Sequence, residues 1–254
     1  MEDIPAVILA RGGSKGIPRK NLMEIAGKSL VRRTAELCVE SDLNPVYVYS
    51  DSTEILEEGQ RGGAIGLMRP EEVSGDKTTS EETMLSFLLK ADPGENFKAA
   101  AMVQCTTPFL KVRHLNKARR LFVTRECDSV VAATRMIKYL GYEKFNGHSA
   151  FIPLNPLRSL RQTMGRWNQW LESGAIYLAT RKLWEIGRRI GEKCMVVSMS
   201  WWDSLEIDDP VDLEVARRLA SLFLEGSEDC HGAEIEEYDG QMQSEDEEAR
   251  TAQG

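Results

Sequence analysis

Residues 5–21 read Pro5-Ala6-Val7-Ile8-Leu9-Ala10-Arg11-Gly12-Gly13-Ser14-Lys15-Gly16-Ile17-Pro18-Arg19-Lys20-Asn21. The run to Ala10 is apolar without alternation, the pattern of a short strand buried on both faces. The remainder is a loop with three glycines, the hydroxyl of Ser14, and four cations within ten residues, Arg11, Lys15, Arg19 and Lys20. Glycines let a backbone turn sharply and bring its N–H groups up to a ligand. Backbone donors and cations directly after a buried strand suit a polyphosphate. The loop is neither GxxxxGK[ST] nor GxGxxG, and Pro18 separates it from any following helix.

Outward from this loop, strand and helix patterns alternate. Helical spacing covers Ser29 to Glu40, Thr53 to Gly59, Ser80 to Ala91 and Val112 to Arg125, with Thr79 or Ser80 as cap of the third. Strand patterns cover Val46 to Ser50, Ala64 to Met68, Ala99 to Gln104 and Ser129 to Thr134. This rhythm predicts βαβ units and an α/β fold with a mostly parallel sheet. Such sheets bind ligands beyond the carboxyl ends of their strands, here Arg11-Gly12-Gly13, Ser50-Asp51 and Gln104-Cys105-Thr106. From Tyr139 to Trp170 the rhythm breaks into an aromatic- and arginine-containing stretch, expected to be a flap or dimerisation arm. Later elements are a strand over Ser173 to Ala179, a short helix over Lys182 to Gly187 and a strand over Cys194 to Met199. A closing helix runs from Pro210 to Glu225, with Asp208 or Asp209 as its cap.

The chain has 254 residues and a formal charge of -8. Residues 225–254 hold eleven acids and one base, Arg250; taking them from 40 acids and 32 bases leaves 29 and 31. The expected organisation is therefore one domain over residues 1–224 and an acidic, disordered tail over 225–254. A nearly neutral body offers no electrostatic case for nucleic acid or a membrane as partner. No apolar run nears the roughly 18 residues of a membrane span. The acidic start, Met1 to Pro5, lacks the basic region of a signal peptide. Five scattered cysteines without a CxxC pair argue against a zinc site or disulfide framework and suit a cytoplasmic location. His114, His148 and His231 stand apart from the motifs and read as structural.

The run Ala6 to Asn21 closely resembles the opening of the acylneuraminate cytidylyltransferases, the CMP-sialic acid synthetases, and the resemblance extends over about Ile4 to Leu224. It implies a three-layer α/β/α Rossmann-like nucleotidyltransferase fold. The implied activity is transfer of CMP from CTP to the anomeric hydroxyl of a sialic acid-like nonulosonic acid, with release of pyrophosphate. A homodimer and Mg²⁺ as cofactor are implied with it. Arg11, Gly12, Ser14, Lys15, Lys20 and Asn21 become nucleotide-binding residues, with Lys20 and Arg11 as catalytic candidates. Arg69-Pro70, followed by Ser74-Gly75-Asp76, resembles a family loop beside the nucleotide and adds Arg69.

Gln104-Cys105-Thr106-Thr107-Pro108 resembles the family's Gln-Pro-Thr-Ser-Pro, a segment at the join of nucleotide and sugar, and makes Gln104 a sugar or nucleotide contact. Arg161-Gln162 resembles a segment that contacts the acidic sugar, and an arginine suits its carboxylate. Ser173-Gly174-Ala175-Ile176-Tyr177 is similar to Asn-Gly-Ala-Ile-Tyr and adds Ser173 and Tyr177. Thr163 and Ser173 depart from the family's aspartate and asparagine.

Glu206-Ile207-Asp208 resembles an Asp-Ile-Asp segment before a proline-started helix. Alternate residues of an extended chain share one side, so Glu206 and Asp208 can offer Mg²⁺ two hard oxygen ligands. Asp212 is expected to serve the helix start instead. Other readings are a CMP-Kdo synthetase or another sugar nucleotidyltransferase, and an inactive nucleotide-binding or regulatory homologue.

Overall fold

A computed structural model describes residues 3–14, 16–136, 141–145, 149–153 and 169–224. Strand β1 (Ala6–Leu9) enters the loop, which closes in a 3₁₀ turn at Lys20–Leu22. A small hairpin follows, β2 (Glu24–Ile25) and β3 (Lys28–Ser29), absent from the sequence-based expectation because each strand is two residues long. Helix α1 (Leu30–Val39) starts at Ser29, whose hydroxyl accepts the Arg32 N–H. Then come β4 (Val46–Ser50), α2 (Thr53–Arg61), β5 (Ile65–Met68), α3 (Ser80–Ala91), β6 (Ala99–Val103), α4 (Val112–Thr124) and β7 (Ser129–Arg135). Within the expected arm, β8 (Gly141–Phe145) and β9 (Ser149–Pro153) pair antiparallel. The chain returns through β10 (Trp170–Thr180), α5 (Arg181–Glu185), β11 (Cys194–Met199) and α6 (Pro210–Phe223).

Seven strands form one sheet in the order β11-β7-β10-β6-β1-β4-β5. Every neighbouring pair is parallel except those of β10, which runs antiparallel between β6 and β7. Successive residues of a strand face opposite sides. Ala6 and Ile8 of β1 and Ala99, Ala101 and Val103 of β6 therefore join α1, α2, α4 and α6 in one core. Val7, Ala100 and Met102 join Met84, Phe87 and Leu88 of α3 and Trp184 of α5 in the other. Both faces are covered, which gives the three-layer α/β/α architecture and explains why the central strands are apolar throughout.

Helix α3 carries a full capping box: the Glu82 N–H donates to Thr79 Oγ1 at 3.2 Å, and the Thr79 N–H to Glu82 Oε2 at 2.7 Å. Thr79→Ala is expected to lower stability by about 1 kcal/mol in urea unfolding, with nucleotide affinity unchanged.

The chain leaves β1 for β4 on one side and later returns to β6 on the other. That reversal opens a crevice beyond the carboxyl ends of β1, β4 and β6, where an open α/β sheet binds its ligand.

Candidate active site

Three connections meet at this crevice: the loop after β1, the segment from β6 to α4, and the segment from β11 to α6. The loop is drawn in by its own polar groups. Gly12 N–H donates to Asp51 Oδ1 at 2.7 Å, and Asn21 Nδ2 donates to the Arg11 carbonyl at 3.0 Å. Asn21 is thus buried as a staple of the loop. Gly16 passes so close to the β11–α6 segment that a Cβ there would lie 2.5 Å from the Asp208 carbonyl oxygen. Only a glycine fits that approach.

Lys20 joins the two motifs that lie farthest apart in the chain. Its Nζ donates to the Ile207 carbonyl at 2.7 Å and lies 3.4 Å from Asp208 Oδ1. The Lys20 side chain is 15% exposed, while that of Asp208 is 72% exposed. One end of this pair is sheltered and the other open to a ligand.

Arg11 Nη1 reaches Asp76 Oδ1 at 3.0 Å. Arg19 holds a left-handed backbone, φ 57°, and pairs with Glu54 of α2, away from Lys20. Ser14 is half-buried, and Lys15 lies outside the described residues. Arg69 is buried with its Nε donating to the Val73 carbonyl at 2.7 Å, so its guanidinium shapes the turn after β5. Burial lowers its pKa, opposed by the nearby Asp51 charge.

On the other wall, the Ile207 N–H donates to the Thr106 carbonyl at 2.8 Å, adding the β11–α6 segment to the strand end. Thr106 Oγ1 stands 3.3 Å from both Gln104 Oε1 and Glu206 Oε1. Gly174, at φ +71°, faces the same carboxylate: a Cβ there would lie 3.0 Å from Glu206 Oε1. Burial, then the Asp208 charge, push the Glu206 carboxyl above its ordinary pKa, against the Thr106 hydrogen bond and the Lys20 charge. Among the described residues no three His, Cys, Asp or Glu side chains converge on one point. The Asp208 charge acts on the Glu206 carboxyl, so the two are electrostatically linked.

Asp209, not Asp208, caps α6, accepting the Val211 and Asp212 N–H groups at 2.7 and 3.0 Å. Asp212 in turn accepts the N–H groups of Asp208 and Asp209 at 2.9 and 3.0 Å. The carboxylate of Asp208 is thereby left to the crevice.

Two of the expected sugar contacts, Ser173 and Tyr177, lie on β10 with their hydroxyls bonded within the protein. Ser173 is buried and its hydroxyl donates to the Ala132 carbonyl at 3.0 Å. Tyr177, 3% exposed, lies in the core, with its hydroxyl bonded to Glu172 and the Arg189 guanidinium 4.7 Å from its ring centroid. Ser173 follows the exposed residues Trp170 to Glu172 of β10, and Tyr177 lies on its enclosed half. Arg161 and Gln162 lie outside the described residues, as do Thr163, His148, His231 and the acidic tail. His114 does not stand alone: it is buried 3.6 Å from Asp203.

Asp51, Asp76 and Thr106 fall within segments the sequence marks but carry no assigned role there, and Asp203 falls in none. Asp51 and Thr106 stand at the strand ends where a ligand was expected, so position was a signal for them. Asp203 carries none.

A family model described as cytidylyltransferase matches residues 6–141. N-acylneuraminate cytidylyltransferase A of Danio rerio is 33% identical over 223 residues, 87% of this chain and 51% of that protein. N-acylneuraminate cytidylyltransferase of Escherichia coli O18:K1:H7 is 31% identical over 219 residues, 84% of this chain and 51% of that protein. The chain spans about half the length of the curated relatives it matches. Among solved structures, CMP:2-keto-3-deoxy-manno-octonic acid synthetase complexed with CTP superposes with a TM-score of 0.64 at 14% identity, over 87% of this chain and 99% of that one. A 4-diphosphocytidyl-2C-methyl-D-erythritol synthase from Anaerococcus prevotii gives 0.63 at 14% identity, over 87% and 96%. These two likenesses concern the fold.

Proposed function

The chain belongs to the cytidylyltransferase family, and from that premise we propose that it transfers CMP from CTP to the anomeric hydroxyl of a nonulosonic acid, releasing pyrophosphate. The observation that carries the reading is the junction of Lys20 with Ile207 and Asp208, at 2.7 and 3.4 Å. It puts the cationic loop and the carboxylate pair on one crevice, as transfer at a triphosphate requires.

Phosphoryl transfer depends on positioning and charge neutralisation more than on covalent participation by the protein. Arg11, the Gly12 N–H, Ser14 and Lys15 would bind the triphosphate. In binding it, Arg11 would exchange Asp76 for phosphate oxygens, and Gly12 would exchange Asp51. Lys20, a compact ammonium with a fixed anchor, would face the charge that develops on the transferred group. Gln104 and Thr106 would orient the acceptor at the inner end of the crevice, and Arg161 with Gln162 would bind its carboxylate.

Glu206 and Asp208 would hold Mg²⁺, a hard cation that takes one or two carboxylates and completes its shell with phosphate and water. When bound, it supplies positive charge to the phosphate oxygens. No helix among the described residues is long and apolar enough to cross a membrane. A cytoplasmic homodimer, with residues 139–170 as its arm, is part of the same proposal.

Pyrophosphate release with CTP, Mg²⁺ and a panel of acids tests the assignment. Release with sialic, legionaminic or pseudaminic acid is the expected result. Release with Kdo alone would transfer the chain to CMP-Kdo synthesis. CTP binding without release on any acid would make it an inactive homologue.

A narrower test concerns Gly16. Gly16→Ala forces the loop away from the Asp208 carbonyl, since the atom it meets is backbone. The expected outcome is a rise of about tenfold in KM for CTP in steady-state pyrophosphate release. An unchanged KM would mean that this close approach does not set the loop for the nucleotide.

A further inference from the structure

A buried carboxylate lies three residues before Glu206. Asp203, on the segment from β11 to α6, is 2% exposed. Its Oδ1 stands 3.1 Å from Lys111 Nζ, and its Oδ2 stands 3.1 Å from Arg113 Nη2 and 3.6 Å from His114 Nε2. Its own N–H donates to Ser200 Oγ at 3.0 Å. Burial pushes the His114 imidazole below its ordinary pKa and favours the neutral ring, against the pull of Asp203. Its Nδ1 accepts the Lys111 N–H at 3.3 Å, which leaves the ring proton on Nε2, toward Asp203.

A buried carboxylate needs counter-charges, and apolar residues often serve stability as well as a buried ion pair does. This one has a place that packing alone does not call for. Its partners begin α4, a few residues after Gln104 and Thr106. The same chain segment therefore grips the β11–α6 segment twice, at Asp203 by charge and at Ile207 by the 2.8 Å bond to the Thr106 carbonyl. Lys20 grips it a third time at the Ile207 carbonyl, 2.7 Å away. Glu206 lies between these ties, and Asp208 follows directly.

We infer that Asp203 is a positioning residue: pinned by Lys111, Arg113 and His114, it fixes residues 203–208 so that the Glu206 and Asp208 carboxylates meet the cation bound with the nucleotide. This rests on the cytidylyltransferase reading of the carboxylate pair. Residues that orient the ligands of a metal affect its binding without touching it.

The test uses the full chain and two variants. Asp203→Asn keeps the shape and removes the charge. Arg113→Gln is milder, because the Arg113 side chain is 62% exposed, and it decides the matter if Asp203→Asn does not fold. The readouts are partition of Mn²⁺ between free CTP and the enzyme–CTP complex by EPR, Mg²⁺ half-saturation of pyrophosphate release, KM for CTP at saturating Mg²⁺, and thermal unfolding.

Expected are Mn²⁺ binding and Mg²⁺ half-saturation weakened about tenfold in Asp203→Asn, in the same direction but less in Arg113→Gln, with KM for CTP moved by no more than about twofold. A lower melting temperature with cation dependence unchanged in both variants would overturn the inference and leave Asp203 a packing residue. Glu206→Gln and Asp208→Asn separate the two levels. A shift in these two with none in the Asp203 and Arg113 variants defeats the positioning role alone. No shift in any of the four defeats the reading of the carboxylate pair.

Discussion

Lys20→Met is expected to lower turnover by about 10² to 10³-fold while the chain still folds, the range seen when one preorganised charge is removed from a developing anion. Methionine keeps an apolar stem of similar length, and the Lys20 side chain is 15% exposed. Two losses compete to explain the result. One is the anchor: the 2.7 Å bond to the Ile207 carbonyl disappears, and a hydrogen bond from a charged donor is worth about 1.5–3 kcal/mol. The other is the charge offered to the phosphoryl group. The anchor belongs to the folded state with or without substrate, so its loss appears in thermal unfolding. Loss of transition-state charge appears in kcat. A fall in kcat well beyond the stability change assigns Lys20 to the chemistry. Lys20→Arg restores charge with a planar fork in place of a point donor, and partial recovery at most is expected. Full turnover in Lys20→Met would remove Lys20 from the mechanism.

The residues that make this site were visible in the chain as two clusters, Arg11 to Asn21 and Ser204 to Leu213. That they touch was not visible. Lys20 and Ile207 are 187 positions apart, and only the strand order, with β10 turned antiparallel beside β6, brings the β11–α6 segment to the loop. Local periodicity reports strand length and burial, which is why β4, α3 and β11 fall on their expected residues. It does not report direction or neighbours, so β10 was legible as a strand and its antiparallel pairing was not.

Burial also separates resemblance from contact. Ser173 and Tyr177 match a family segment, yet both side chains are buried and their hydroxyls are bonded to Ala132 and Glu172. Arg69 is a similar case, with its guanidinium on the Val73 carbonyl. Asp203 is the converse. No motif in the sequence includes it, and nothing local announces the cations at the start of α4 that pair with it.

Glu206→Gln is expected to act in opposite directions on activity and stability. Turnover falls by about 100-fold, because a neutral amide cannot neutralise a cation or hold it as a carboxylate does. In the metal-free protein the same change stabilises. Burial and the Asp208 charge raise the pKa of Glu206 in the folded state. The protonated form is therefore the one that folding favours, and its contribution is fully present below the unfolded value of about 4.3. That contribution is lost as pH rises through the higher folded value, where the side chain must ionise beside Asp208. Glutamine fills the same space, can still accept the Thr106 hydrogen bond, and never ionises. The variant's melting temperature at pH 7 to 8 without metal should thus exceed that of the parent chain, and the difference should vanish as pH falls below about 4. With CTP and excess Mg²⁺ the order should reverse, because a ligand stabilises a protein by RT ln(1 + [L]/Kd) and the parent chain binds the cation more tightly. Melting curves across pH, with and without CTP and Mg²⁺, decide the matter. A variant less stable than the parent at neutral pH without metal would mean that Glu206 is already satisfied by Lys20 and Thr106 and gains nothing from a cation.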